Sequence, residues 1–191
     1  MRKLVVFQNM SLDGYFTDLH GDMSWAHNAD PEWTEFVAGN AGGESEMLFG
    51  RVTYDMMKSY WPTPQALENN PVVAAHMNDQ SKVVFSRTLD EATWSNTRLV
   101  KSDPAEEVRR MKAETGPGMV IFGSGTIIAQ LAQAGLIDEY MLAVHPIVLG
   151  SGKSMFDGVE NRIGLTLTKT RVFGNGNIVL NYEPSSRSAE Q

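Results

Sequence analysis

Met119-Val-Ile-Phe-Gly-Ser-Gly-Thr-Ile-Ile-Ala-Gln-Leu-Ala-Gln-Ala-Gly135 (MVIFGSGTIIAQLAQAG) is the stretch on which the fold turns. Met119–Phe122 is a short apolar run that reads as a buried strand, Gly123-Ser124-Gly125 reads as a tight turn, and Thr126–Ala134 reads as an apolar helix closed by Gly135. A strand feeding a helix through a Gly-rich turn is the βα half of a parallel-sheet unit. The pattern recurs upstream. Lys3–Asn9 (KLVVFQN) predicts a strand and Met10 to about Ala29 a polar loop. Asp30-Pro31-Glu32 looks like an N-cap with Pro in the first turn. Trp33, Phe36 and Val37 then fall at i, i+3 and i+4, so a helix should run to about Gly39–Gly42.

Glu46–Phe49 predicts a strand breaking at Gly50 into an Arg51–Tyr60 helix, followed by a floppy loop at Thr63–Asn70. Lys82–Ser86 and Thr97–Lys101 read as strands. Ser102-Asp103-Pro104 with Glu106 reads as a helix start with a capping box, and Val108 and Met111 supply the inner face until Gly116-Pro117. Downstream, Asp138–Val144 is a strand, and Gly164–Phe173 and Asn177–Glu183 form a hairpin across Gly174-Asn175-Gly176. The expectation is a single α/β domain over residues 1–183, with a mostly parallel central sheet and a C-terminal antiparallel hairpin. Residues 184–191 (PSSRSAEQ) read as a disordered polar tail.

The chain has 191 residues, 42% of them hydrophobic, which fits one domain. Sixteen Lys and Arg against 23 Asp and Glu give a net charge of −7, so binding to nucleic acid or an anionic membrane is disfavoured. With no cysteine there is no disulfide, thiolate zinc site, iron–sulfur cluster or cysteine nucleophile. The four apolar residues Leu4–Phe7 are too few for a signal-peptide core, and no run reaches the ~18–20 apolar residues of a membrane span. A cytoplasmic protein is expected. His20, His27, His76 and His145 show no metal-ligand spacing, so no metal is expected, and His145, before Pro146, reads as structural.

Gly150-Ser151-Gly152-Lys153-Ser154 looks like the end of a P-loop, but the Gly that motif needs earlier is Ile147. Met155-Phe156-Asp157-Gly158 also fails to continue as a helix, so an ATPase site is not supported. Three predicted strand ends are better placed: Gly50-Arg51-Val52-Thr53, Ser86-Arg87, and Gly123-Ser124-Gly125-Thr126. Glycine lets a diphosphate approach the backbone, the first helical turn offers free N–H groups, and Arg offers paired donors. Ligands of open parallel sheets bind beyond the carboxyl ends of the strands. Together the three ends point to one phosphate-rich ligand.

SLDG after the first strand, FGRVTY, VVFSRTL and the block IFGSGTIIAQLAQAGLIDEYMLAVHPIVLGSGKSMF resemble the dihydrofolate-reductase-like superfamily. The branch is that of the C-terminal reductase domain of the riboflavin-biosynthesis deaminase-reductase, and the resemblance runs from Lys3 to about Glu183. It implies a three-layer dihydrofolate-reductase-like fold, NADPH as hydride donor, and a homodimer with the late strands and His145–Gly152 near the contact. It assigns the cofactor to Gly50, Arg51 and Thr53, to Ser86 and Arg87 near the adenosine phosphate, and to Gly123, Ser124, Gly125 and Thr126 at the diphosphate. Ser124 stands where the branch usually has a second Gly. With no cysteine, the deaminase half's zinc site is absent, so a place in riboflavin synthesis does not follow.

The substrate side runs from Asn9 to Phe36, with Asn9 and Trp25 as candidate substrate contacts. Asp13 and Asp30 are the candidate catalytic carboxylates. Asp13 also reads as a turn-former before Gly14. Asp30 also reads as an N-cap, and a helix N-terminus favours its charged form, making it a better acceptor for a ring N–H than an acid. The sequence therefore predicts an NADPH-dependent reductase of a small pteridine-like or pyrimidine-like heterocycle. Dihydrofolate reductase activity proper and a non-catalytic NADP-binding protein are the alternatives.

Overall fold

The structure is a computed structural model that describes residues 1–27, 30–41 and 43–185. In chain order the strands are β1 (Leu4–Ser11), β2 (Tyr15–Thr17), β3 (Ser45–Gly50), β4 (Lys82–Phe85), β5 (Thr97–Val100), β6 (Gly118–Phe122), β7 (Glu139–His145), β8 (Lys153–Ser154), β9 (Leu165–Val172) and β10 (Ile178–Pro184). The helices are α1 (Pro31–Ala41), α2 (Arg51–Tyr60), α3 (Pro64–Asn69), α4 (Pro71–Asp79), α5 (Pro104–Ala113) and α6 (Gly125–Gln133).

Eight strands form one sheet in the order β5-β4-β3-β6-β1-β7-β10-β9. All pairs from β5 to β7 are parallel, and β10 and β9 add the antiparallel end expected of the hairpin. Alternation along each strand divides the core into two faces. Leu4, Val6, Leu48, Val83, Ile121 and Leu142 pack with Val108 and Met111 of α5 and Ile128 and Leu131 of α6. On the other face Met47, Phe49 and Val84 meet Tyr54 and Met77, while Ala143 and Val179 meet Trp33. The result is three layers.

Several sequence expectations change. Thr63–Asn70 is not a loop: Thr63 Oγ1 accepts the Ala66 N–H at 3.2 Å, Pro64 opens α3, and Ala66 is fully buried. Pro71 starts α4 directly behind it, because proline at N1 needs no acceptor. Lys82, at the first position of β4, is 1% exposed. Its ammonium donates to the carbonyls of Met77, Asn78 and Gln80 and sits 4.7 Å from the Trp94 ring, closing the C-terminal end of α4. Burial pushes that amine down to about 8. At α5, Asp103 caps by itself, accepting from the N–H groups of Ala105 and Glu106. The Met10–Ala29 loop contains β2, and β2 pairs with β8, so Lys153-Ser154 of the P-loop-like stretch is a strand. β10 includes Pro184, and the Ser185 N–H reaches the Gly164 carbonyl. Residues 186–191 of the expected tail lie outside the described residues, as do 28 and 29 of the first loop and 42 at the expected end of α1.

Candidate active site

The ends of β3 and β6 lock together around Ser124. The Gly50 N–H donates to Ser124 Oγ at 2.8 Å, and the Ser124 N–H donates to Thr53 Oγ1 at 3.1 Å. Ser124 Oγ lies 3.0 Å from Thr53 Oγ1 and 3.1 Å from the Phe122 carbonyl. Gly123 (φ +56) and Ser124 (φ +62) are both left-handed, which reverses the chain so that α6 starts immediately after β6. At Gly125 a Cβ would sit 2.8 Å from the Phe16 ring, so packing with β2 requires glycine there. The backbone N–H groups of Gly125 and Thr126 have no acceptor among the described residues and remain donors at the positive end of α6.

From that helix start a cleft of about 770 Å³ extends across β4 and α5, bordered by Thr126, Gln130, Ser86, Arg87 and Ser102. Ser86 Oγ accepts from the N–H groups of Thr88 and Leu89, which folds the turn after β4, and lies 3.3 Å from Thr88 Oγ1, with which it shares a hydroxyl hydrogen bond. Arg87 is exposed and has no ion pair among the described residues. Arg51 does not border this cleft. It points along α2 to Asp55 at 3.4 Å, a half-exposed pair of little energy. Asp103, also on the wall, is spent on its helix cap.

The residues that the sequence offers for the substrate side lie around the carboxyl ends of β1 and β7. Asp13 accepts from the N–H groups of Leu149 (3.1 Å) and Gly150 (2.7 Å), pinning the first loop to the segment after β7. The Ser11 hydroxyl and those two amides hold its carboxyl below the usual carboxylate range. An ionised carboxylate engaged in this way is a clamp and a poor proton donor, which weakens the acid role expected of Asp13. Asp30 Oδ1 accepts the Trp33 N–H at 2.8 Å, the capping bond read from sequence. Asn9 is half-buried, with Oδ1 3.0 Å from His145 Nε2. Trp25 packs edge-on against His145, with ring centroids 5.4 Å apart. His145 is the residue that sequence reasoning underrated: it is 3% exposed and joins both predicted substrate contacts. Only the parallel pairing of β1 with β7, which sets Ser11 opposite His145, reveals it.

The cluster lies at the carboxyl ends of β1, β3, β4, β6 and β7, where an open α/β sheet binds ligands. A model of the family described as the RibD C-terminal domain matches residues 2–179. The chain belongs to the RibD C-terminal domain family. The chain is 28% identical over 182 residues to the uncharacterized protein YyaP of Bacillus subtilis, covering 95% of this chain and 94% of that one. It is 25% identical over 181 residues to YwjB of the same organism, covering 95% and 97%. Two solved structures place the family's fold. One is the deaminase/5-amino-6-(5-phosphoribosylamino)uracil reductase of Thermotoga maritima (TM-score 0.69, 13% identity, 96% of this chain and 57% of that one). The other is Enterococcus faecalis dihydrofolate reductase complexed with NADP(H) (TM-score 0.66, 15% identity, 96% and 97%). The RibD C-terminal domain family thus has a dihydrofolate-reductase-like fold in this chain, and the neighbours that carry it are reductases.

Proposed function

We propose that this chain is an NADPH-dependent reductase that delivers hydride to a small pyrimidine-like or pteridine-like heterocycle and acts as a homodimer. The observation that carries the reading is the row of donors from the start of α6, where the Gly125 and Thr126 N–H groups have no acceptor among the described residues, to Ser86 and Arg87. Free helix N–H groups suit a diphosphate, and an unpaired guanidinium beside a hydroxyl suits a further phosphate. These residues fit a nicotinamide dinucleotide phosphate, whose hydride chemistry belongs to the cofactor itself. In this reading Gly125, Thr126 and Ser86 hold and orient the phosphates, Arg87 fixes the adenosine end, and Asn9, Trp25 and Asp30 orient the acceptor heterocycle. The uracil reductase and dihydrofolate reductase neighbours support the substrate class.

The sheet's last strand supports the homodimer. Val172 and Leu167 of β9 share a face with Ile178 and Tyr182 of β10, and they are 66% and 50% exposed. An apolar sheet face of that kind is a place for a second copy.

The experiment is a fluorescence titration with NADPH and NADH, followed by absorbance at 340 nm across pyrimidines, pteridines and dihydrofolate. Micromolar NADPH binding with oxidation dependent on a pyrimidine or pteridine is expected. Turnover of dihydrofolate alone favours dihydrofolate reductase activity, binding without turnover favours a non-catalytic protein, and absence of binding overturns the reading. Light scattering that gives twice the chain mass checks the dimer.

A further inference from the structure

The loop 155–163, after β8, is a wall of one hollow and the roof of another. Its Asp157 and Gly158 border the large cleft, beside Gln133 of α6. Its Phe156, Val159 and Ile163 pack toward the core instead, and with Tyr140 of β7 and Leu165 of β9 they line a second hollow of about 150 Å³. The loop is anchored at one end by Met155, which is fully buried. Further on, Gln133 Oε1 accepts the N–H groups of Glu160 (3.2 Å) and Asn161 (3.5 Å). Between these anchors the loop lies over empty space, and its inner side chains forfeit the contacts that a filled interior would give. Four of the five lining residues are half-buried, so the hollow opens at the surface beneath the loop. Of the five side chains only that of Tyr140 carries a polar atom. Tyr140 is 1% exposed, yet its hydroxyl makes no hydrogen bond to a described residue and is not sealed inside the fold. Burial pushes that hydroxyl up to about 12, so at neutral pH it keeps its hydrogen and can donate.

We propose that this hollow is a second small-molecule site, for a single aromatic ring carrying one hydrogen-bond acceptor, and that its occupant braces the loop 155–163 and so strengthens binding in the cleft. An apolar cavity of about this volume takes up a benzene-sized molecule. The ring fills the space between Phe156, Val159 and Ile163, and the acceptor receives the Tyr140 O–H, which otherwise stays desolvated and unpaired. Asp157 and Gly158 are then backed by packed atoms, so the cleft wall is already in place when its own ligand arrives, and that ligand bears less of the ordering cost. Linkage makes the effect mutual: a ligand in the cleft tightens the ring's binding by the same factor. The site itself stands apart from the reductase reading; the choice of NADPH as the cleft's ligand rests on it.

The test titrates phenol and toluene, alike in size, into the isotope-labelled full chain with and without NADPH, and follows the Ile163 and Leu165 methyl groups and the Gly158 amide by NMR. Phenol should give saturable shifts at both methyl positions that carry through to Gly158, and should raise NADPH affinity about five-fold or more. Tyr140→Phe should weaken phenol by roughly five-fold, the value of one neutral hydrogen bond, and leave toluene and the affinity for NADPH alone unchanged. Val159→Phe, whose ring occupies the hollow, should bind neither molecule; if that variant does not fold, Tyr140→Phe, which loses only an oxygen atom, decides the site. Shifts that rise without saturating, or equal losses of phenol and toluene in Tyr140→Phe, overturn the site. Saturation at Ile163 with no movement at Gly158 and no change in NADPH affinity overturns the coupling. Phenol that splits a dimer into single chains, as read by light scattering, shows that a second copy fills the hollow and overturns the small-molecule assignment. Failure to bind NADPH counts against the reductase reading alone, and the Gly158 amide then still reads whether the hollow and the cleft wall are coupled.

Discussion

Ser124, held at φ +62, donates its backbone N–H to Thr53 Oγ1 at 3.1 Å, and this bond joins the turn after β6 to the first turn of α2. A non-glycine residue in the left-handed region costs about 1–2 kcal/mol, and here the serine hydroxyl offsets it by accepting the Gly50 N–H. Ser124→Ala keeps the strain and leaves that amide unsatisfied. Ser124→Gly relieves the strain while losing the same bond. Urea unfolding should show Ser124→Ala destabilised by about 1–3 kcal/mol and Ser124→Gly by visibly less. Equal losses would mean that the backbone conformation at Ser124 carries no cost.

Arg87 stands at the cleft wall beside Ser86 with no ion pair among the described residues. The cofactors NADPH and NADH differ by one phosphate on the adenosine ribose. Each hydrogen bond to a charged group is worth about 1.5–3 kcal/mol, less where solvent screens it. Arg87→Ala should weaken NADPH by about ten-fold or more and leave NADH nearly unchanged, as read by fluorescence titration. Equal losses for both cofactors would remove Arg87 from the phosphate site.

Asp30 caps α1 through the Trp33 N–H, and asparagine caps equally well. Asp30→Asn should therefore melt within about 0.5 kcal/mol of the wild type. If the carboxylate also accepts a substrate ring N–H, turnover should fall roughly 10- to 150-fold while NADPH affinity holds. Unchanged turnover would leave Asp30 as a cap only.

Burial lowers the His145 pKa to about 4, against about 6.5 in an unfolded chain. Between those values the unfolded state binds more protons, so stability falls as the pH drops from about 6.5 toward 4 and levels off below. His76, lowered chiefly by desolvation and then by Lys82, acts in the same direction. The full effect at His145 is on the order of 3 kcal/mol. Urea midpoints at pH 7.5 and pH 5 should diverge in the wild type and lie closer together in His145→Gln, where His76 alone of this pair still acts. A wild-type midpoint that does not move would show that the imidazole titrates normally.

Sequence alone determined the parallel sheet, the strand-to-helix junctions at Gly50 and Gly123–Gly125, and the caps at Asp30 and Asp103. Each depends on neighbours within a few residues, where apolar period, glycine freedom and cap chemistry act directly. The same locality hid α3, because proline and asparagine between Thr63 and Asn70 resemble a loop until Ala66 is seen fully buried. Tertiary structure decided the rest. Asp13 became a clamp because the loop after β7 brings the amides of Leu149 and Gly150 to it, across 136 and 137 residues of chain. His145 became a partner of Asn9 for the same kind of reason: their meeting depends on which strands lie side by side, and a hydrogen bond across 136 residues leaves no periodic mark in the sequence.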